Sequence, residues 1–126
     1  MKQTAFITGA TSGIGKAIGE FLLDRECIVY GTSRNAAAII DSKIKFLPHS
    51  EKLDEYYVDA DIYVMTSRFE GLPLVLIEAQ SFGLPCVSFD CPTGPREVIT
   101  HGENGLLVEV GNIKKMAQEL FRVARS

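Results

Sequence analysis

Two periods of apolar residues alternate along this chain. Short unbroken apolar runs are separated by stretches whose apolar positions return every three or four residues. Thr4 to Thr8 is the first run, closed by Gly9, and Gly13 to Arg25 follows with Ile14, Ala17, Ile18, Phe21 and Leu22 on one helical face. Cys27 to Tyr30 reads as a second buried strand and Lys43 to Leu47 as a third, ended by Pro48. Leu53, Tyr56, Tyr57 and Ala60 mark a helix, and Ile62 to Met65 a fourth strand. Pro73 suits a first helical turn, Leu76, Ala79 and Phe82 continue that helix's inner face, and Gly83 stops it. Cys86 to Phe89 is the fifth strand, Pro95 opens a short helix, and Gly105 to Val108 is the sixth strand. Asn112 is placed to cap a last helix with Ile113, Met116, Ala117, Leu120, Phe121 and Ala124 inside.

Continuous apolar strands joined by helices predict an α/β fold with a parallel sheet covered on both faces. The expectation is a single Rossmann-like three-layer sandwich over residues 1–126, with a six-stranded parallel sheet in the order 3-2-1-4-5-6. One connection is unusually short for a parallel crossover. Arg34 to Ser42 must hold a very short helix, and its three consecutive alanines, Ala36 to Ala38, resemble filler at a join. Ile39 and Ile40 would have to fill the space of a longer helix.

A length of 126 residues suits one domain, and 46% hydrophobic residues allow a full core. The net charge of −3 excludes a basic nucleic-acid surface, and the cations Lys114, Lys115, Arg122 and Arg125 read as one solvated helix face. Three cysteines, Cys27, Cys86 and Cys91, have no paired spacing and read as reduced thiols, with Cys91 exposed after its strand. No apolar run reaches a membrane span, and the start leads straight into a strand, so the expectation is a soluble cytoplasmic chain with no signal peptide and no membrane or nucleic-acid partner. His49 and His101 lack metal-ligand spacing and read as structural or solvated, with no metal site expected.

Between the first strand and first helix lies Thr8-Gly9-Ala10-Thr11-Ser12-Gly13-Ile14-Gly15, a glycine-rich turn in the setting that seats a pyrophosphate on a helix N-terminus. Over residues 1–35 the chain resembles the short-chain dehydrogenase/reductase family. That resemblance implies cofactor contacts at Thr8, Gly9, Ser12, Gly13, Ile14 and Gly15, and, through Ser33 and Arg34 after the second strand, a preference for the 2′-phosphate of NADP. The same family catalyses with a Tyr, a Lys one helical turn later and a Ser. Tyr30, Tyr56, Tyr57 and Tyr63 have Arg34, Ala60, Asp61 and Ser67 at that spacing, so this chemistry is incomplete.

Residues 43–126 resemble another family, the C-terminal domain of retaining glycosyltransferases of GT-B fold. The residues that carry the likeness are Ala60-Asp61-Ile62, Thr66 to Pro73, Glu78-Ala79, Gly83-Leu84-Pro85, Gly94-Pro95-Arg96-Glu97 and Asn104 to Val108. The resemblance implies that Glu70 holds a donor sugar, that Glu78 holds the nucleotide ribose, and that the helix start at Gly71 and Leu72 offers amides to the diphosphate. The family's diphosphate-binding Arg and Lys would lie in the segment that here looks reductase-like.

These readings combine into a chimera, with residues 1–35 from a reductase, 36–42 as junction and 43–126 from a glycosyltransferase. The sugar-nucleotide residues would be vestigial, the protein engineered, with no complete active site, no catalytic residues, no required cofactor and no turnover. Two alternatives accompany this reading. One is a module that binds NADP(H) or a sugar nucleotide weakly, and the other is a glycosyltransferase C-terminal fragment that needs a partner domain. The sequence leaves the oligomeric state open.

Overall fold

Each strand pairs in parallel with its neighbours in the computed structural model, which describes residues 3–7, 13–31, 45–46, 54–66, 73–92 and 94–125. The strands are β1 (Thr4–Ile7), β2 (Ile28–Gly31), β3 (Lys45–Phe46), β4 (Ile62–Met65), β5 (Cys86–Phe89) and β6 (Gly105–Val108). The helices are α1 (Gly13–Asp24), α2 (Asp54–Asp59), α3 (Leu74–Ser81), α4 (Pro95–Val98) and α5 (Ile113–Arg125). The body of the sheet is five strands of four residues each, in the order β2-β1-β4-β5-β6. Of the expected third strand over 43–47 the described residues are Lys45 and Phe46, which pair with β2 at the sheet edge in the order β3-β2-β1-β4-β5-β6. The expectation of a six-stranded sheet is corrected to a body of five strands, the edge element having a ladder on one side only.

Strand alternation builds two cores on one sheet. Ala5, Ile7, Ile62, Val64, Val87 and Phe89 face one side, where Ile18 and Leu22 of α1 and Met116 and Leu120 of α5 close over them. Phe6, Tyr63, Met65 and Cys86 face the other side, beneath Tyr57 of α2 and Leu76 and Ala79 of α3. Because both faces are covered, the strands carry no polar alternation, which is why they read as unbroken apolar runs. The expected three-layer arrangement is therefore present.

Capping follows the sequence in several places. Asn112 accepts the Lys115 N–H on Oδ1 at 2.9 Å and starts α5. Gly83 has φ +76° and ends α3. Other expectations change. Cys91 is buried, not exposed. Phe82 is 39% exposed, because it lies in the turn beyond α3, where helical spacing no longer sets its direction. Ile113 and Phe121 are 42% and 40% exposed, so the inner stripe of α5 is narrower than its apolar sequence and centres on Met116 and Leu120. The short connection at 34–42, with Ile39 and Ile40, and His49 lie outside the described residues.

Candidate functional site

The carboxyl ends of β1 and β4 lie side by side, with Ile7 registered against Val64. From β1 the chain turns one way to β2, and from β4 it turns the other way to β5 and β6. This reversal is a topological switch point, where open α/β sheets leave a crevice for ligands. Both chemically suggestive segments of the sequence leave the sheet here, one leading into α1 and the other into α3.

Of the dinucleotide-type residues, Gly13, Ile14 and Gly15 lie in the first turn of α1, and Gly15 is buried. Thr8, Gly9, Ser12, Ser33 and Arg34 lie outside the described residues, as do Glu70, Gly71 and Leu72. Glu78 is described. It is exposed on α3, about one helical turn from Leu74. The phenolic hydroxyl of Tyr57, on α2, donates to Glu78 Oε2 at 3.4 Å. The Tyr57 ring is buried, packed on Phe6 at 5.3 Å and on Phe82 at 5.6 Å between ring centroids.

A second polar pair stands one strand over. Asp90 follows β5, and its Oδ1 accepts from Arg96 Nε at 2.7 Å. That hydrogen bond holds the exposed Arg96 guanidinium above its ordinary pKa. Gly94, at φ +83°, and Pro95 at the start of α4 turn the chain so that the pair can meet. The sequence reading missed both the Tyr57–Glu78 and the Asp90–Arg96 contacts. Tyr57 and Glu78 sit on different helices and have no spacing that signals them. Asp90 and Arg96 bracket a glycine–proline turn, the one local cue that could have suggested their approach.

Several residues that carried the sequence resemblance serve the fold. Asp61 Oδ2 accepts the Thr4 N–H at 2.7 Å, while its own N–H donates to the Thr4 carbonyl, so it pins the start of β1 to β4. Asn104 accepts the Thr100 N–H on Oδ1 at 2.7 Å and donates to the Val98 carbonyl at 3.0 Å, closing the turn before β6. A Cβ on Gly105 would stand 2.5 Å from the Cys86 carbonyl oxygen, so β6 can approach β5 only with glycine there. His101 accepts the Leu107 N–H on Nδ1 at 3.0 Å, a structural role. Among the described residues no group of three or more metal-ligating side chains converges, and no helix is long and apolar enough to cross a membrane.

Fold and edge together define the class, a Rossmann-like three-layer α/β domain with a topological switch point between β1 and β4. Comparison with known proteins narrows it. The sequence profile of the family described as glycosyl transferases group 1 matches residues 14–126, and the chain belongs to that family. An uncharacterized glycosyltransferase of Haemophilus influenzae is 43% identical over 81 residues, covering 64% of this chain and 23% of that protein. The poly(glycerol-phosphate) alpha-glucosyltransferase of Bacillus subtilis is 31% identical over 133 residues, covering 99% of this chain and 19% of that protein. The crystal structure of a point mutant of S. aureus TarM, in complex with fondaparinux, alpha-GlcNAc-glycerol and UDP, superposes with a TM-score of 0.85 at 20% identity, covering 99% of this chain and 29% of that one. The chain thus spans about a quarter or less of the curated relatives it matches.

These findings bear on two expectations. The family match runs through most of the segment read as a reductase piece and through the junction, and the Bacillus alignment covers nearly the whole chain, so one family accounts for residues 14–126 and the chimera of two parents gains no support. A glycine-rich strand–turn–helix start is a weak guide to family, because functions and families share Rossmann-like folds. The expectation of a non-enzyme is overturned, since the chain is a member of an enzyme family.

Proposed function

We propose that this chain is the donor-binding domain of a retaining glycosyltransferase and seats a sugar nucleotide across the switch point between β1 and β4. The observation that carries the reading is Glu78. It is an exposed carboxylate at a fixed place on the helix that follows β4, in a chain of glycosyltransferase family membership. A carboxylate accepts from both hydroxyls of a ribose, as the sequence resemblance implies for Glu78. Glu70 would hold the donor sugar, and the amides of Gly71 and Leu72 would meet the diphosphate. In the reaction the bond from the sugar's anomeric carbon to the diphosphate oxygen breaks. A bond to an acceptor hydroxyl forms, the acceptor's proton leaves, and a nucleoside diphosphate is released.

The chain's share of its relatives' length supports a second domain that carries the acceptor site, with transfer in the cleft between the two. UDP is the natural probe, because it occupies the TarM structure. In a thermal-shift titration UDP is expected to stabilise the chain, by about 2.7 kcal/mol when present at a hundred times its Kd. Glu78→Ala is expected to lose most of that gain, and NADP to give none. Stabilisation by NADP in place of UDP, or UDP binding indifferent to Glu78→Ala, would overturn the reading.

A further inference from the structure

Tyr57 is the residue that the sequence patterns leave without a chemical role and the structure places beside one. It is 1% exposed, and its ring is fixed from three directions by Phe6, Tyr63 and Phe82, at centroid distances of 5.3, 6.1 and 5.6 Å. Phe6 comes from β1, Tyr63 from β4, and Phe82 from the turn after α3. The position of the hydroxyl is therefore set by the core. That hydroxyl donates to Glu78 Oε2 at 3.4 Å. Glu78, by contrast, is exposed and carries three rotatable side-chain bonds, so nothing in its helical position alone would hold its carboxylate in one orientation.

We infer that Tyr57 is a positioning residue, whose buried ring fixes the orientation in which Glu78 presents its carboxylate to the ribose of a nucleoside diphosphate. This inference rests on the role of Glu78 proposed above. One lone pair of the carboxylate goes to the phenol, and the remaining acceptor capacity is ample for the two hydroxyls of a vicinal diol. Preorganising the carboxylate before the ligand arrives removes an ordering cost from binding. The link also ties Glu78 to the aromatic cluster of Phe6, Tyr57 and Tyr63, so α2, which lies before β4, contributes to the setting of a carboxylate on α3.

The test is calorimetric titration of the whole chain with UDP and with 2′,3′-dideoxy-UDP, which lacks the diol. Tyr57→Phe keeps the ring and removes only the hydroxyl. It is expected to weaken UDP binding about fivefold, the scale of one hydrogen bond, and to leave dideoxy-UDP binding unchanged. A defect that was merely structural would weaken both ligands alike. Tyr56→Phe, whose ring packs on Tyr30 at 5.6 Å, is the control and is expected to match the parent. Glu78→Asp reads the same link from the exposed partner without disturbing the core. It draws the carboxylate back from the phenol and is expected to weaken UDP binding by a similar factor, with no further loss when combined with Tyr57→Phe. The inference is overturned if Tyr57→Phe binds UDP as the parent does, if it loses both ligands equally, or if the two substitutions add independently. Loss in Glu78→Ala with none in Tyr57→Phe refutes the positioning role alone. A parent chain that binds no UDP, or binds it equally as Glu78→Ala, removes the donor-site reading and this inference with it.

Discussion

Burial pushes the Cys86 thiol up to about 12 from its ordinary value of 9.0, because the thiolate would be stranded in the core under α3. In the unfolded chain the same thiol titrates near its ordinary value. Its contribution to stability is therefore complete below about pH 9 and is lost as pH rises from there toward about 12, at up to about 1.4 kcal/mol per pH unit. Denaturation followed from about pH 8 to about pH 10.5 should show a steeper loss for the parent than for Cys86→Ala. Parallel slopes would refute this assignment. Burial likewise raises Cys27, and Arg25 nearby opposes the shift, so it adds to the alkaline loss in the same direction. The apolar run around Cys86 made its burial legible. Nothing local told Cys91 apart from an exposed thiol, because it lies beyond the end of its strand, where the apolar run no longer signals burial.

The ends of α1 and α3 show one motif built with two different residues. After α3, Gly83 donates to the Gln80 carbonyl at 2.9 Å and Leu84 to the Ala79 carbonyl at 3.2 Å. After α1, Glu26 donates to the Leu23 carbonyl at 3.0 Å and Cys27 to the Leu22 carbonyl at 3.0 Å. Both are Schellman terminations with a left-handed residue, Gly83 at φ +76° and Glu26 at φ +62°. Glycine meets no steric cost there, whereas a Cβ costs about 1–2 kcal/mol, partly offset by glycine's greater freedom when unfolded. Glu26→Gly is expected to stabilise the chain by about 0.5–1 kcal/mol, and Gly83→Ala to destabilise it by about 1 kcal/mol, both read by urea denaturation. A destabilised Glu26→Gly would mean that the Glu26 side chain contributes something the backbone does not reveal. The stop at Gly83 was legible because glycine advertises positive φ. After α1 the apolar period marked the end near Arg25, but the left-handed turn at Glu26 was not legible, since only the hydrogen-bond closure of the last turn forces that conformation.

Across the domain, one sheet separates two cores that share every strand of its body. Tyr30, Tyr56, Tyr57 and Tyr63 all belong to the side with α2 and α3, and the chain has no tryptophan, so tyrosine fluorescence reports on that side. Helical circular dichroism is weighted to α1 and α5, the two longest helices, on the other side. Because the strands cannot unfold for one face and persist for the other, both signals should fall with a single midpoint in denaturant. Separate midpoints would show the two layers melting independently.

The architecture was legible from residue order: a parallel sheet with helices on both faces and its strand order, since unbroken apolar strands alternating with amphipathic helices admit few other packings. The place of Glu78 inside the helix after β4 was legible as well, because Gly-Leu-Pro marks that helix's start. The family could not be read from the glycine-rich amino-terminal turn, because glycines between a strand and a helix are shared by unrelated Rossmann-like folds. That Tyr57 meets Glu78 and that Phe82 and Phe121 stand partly in water emerged with the folded arrangement alone. Those outcomes depend on how separate helices are set against the sheet, and such distances arise from packing across the chain, beyond any local period.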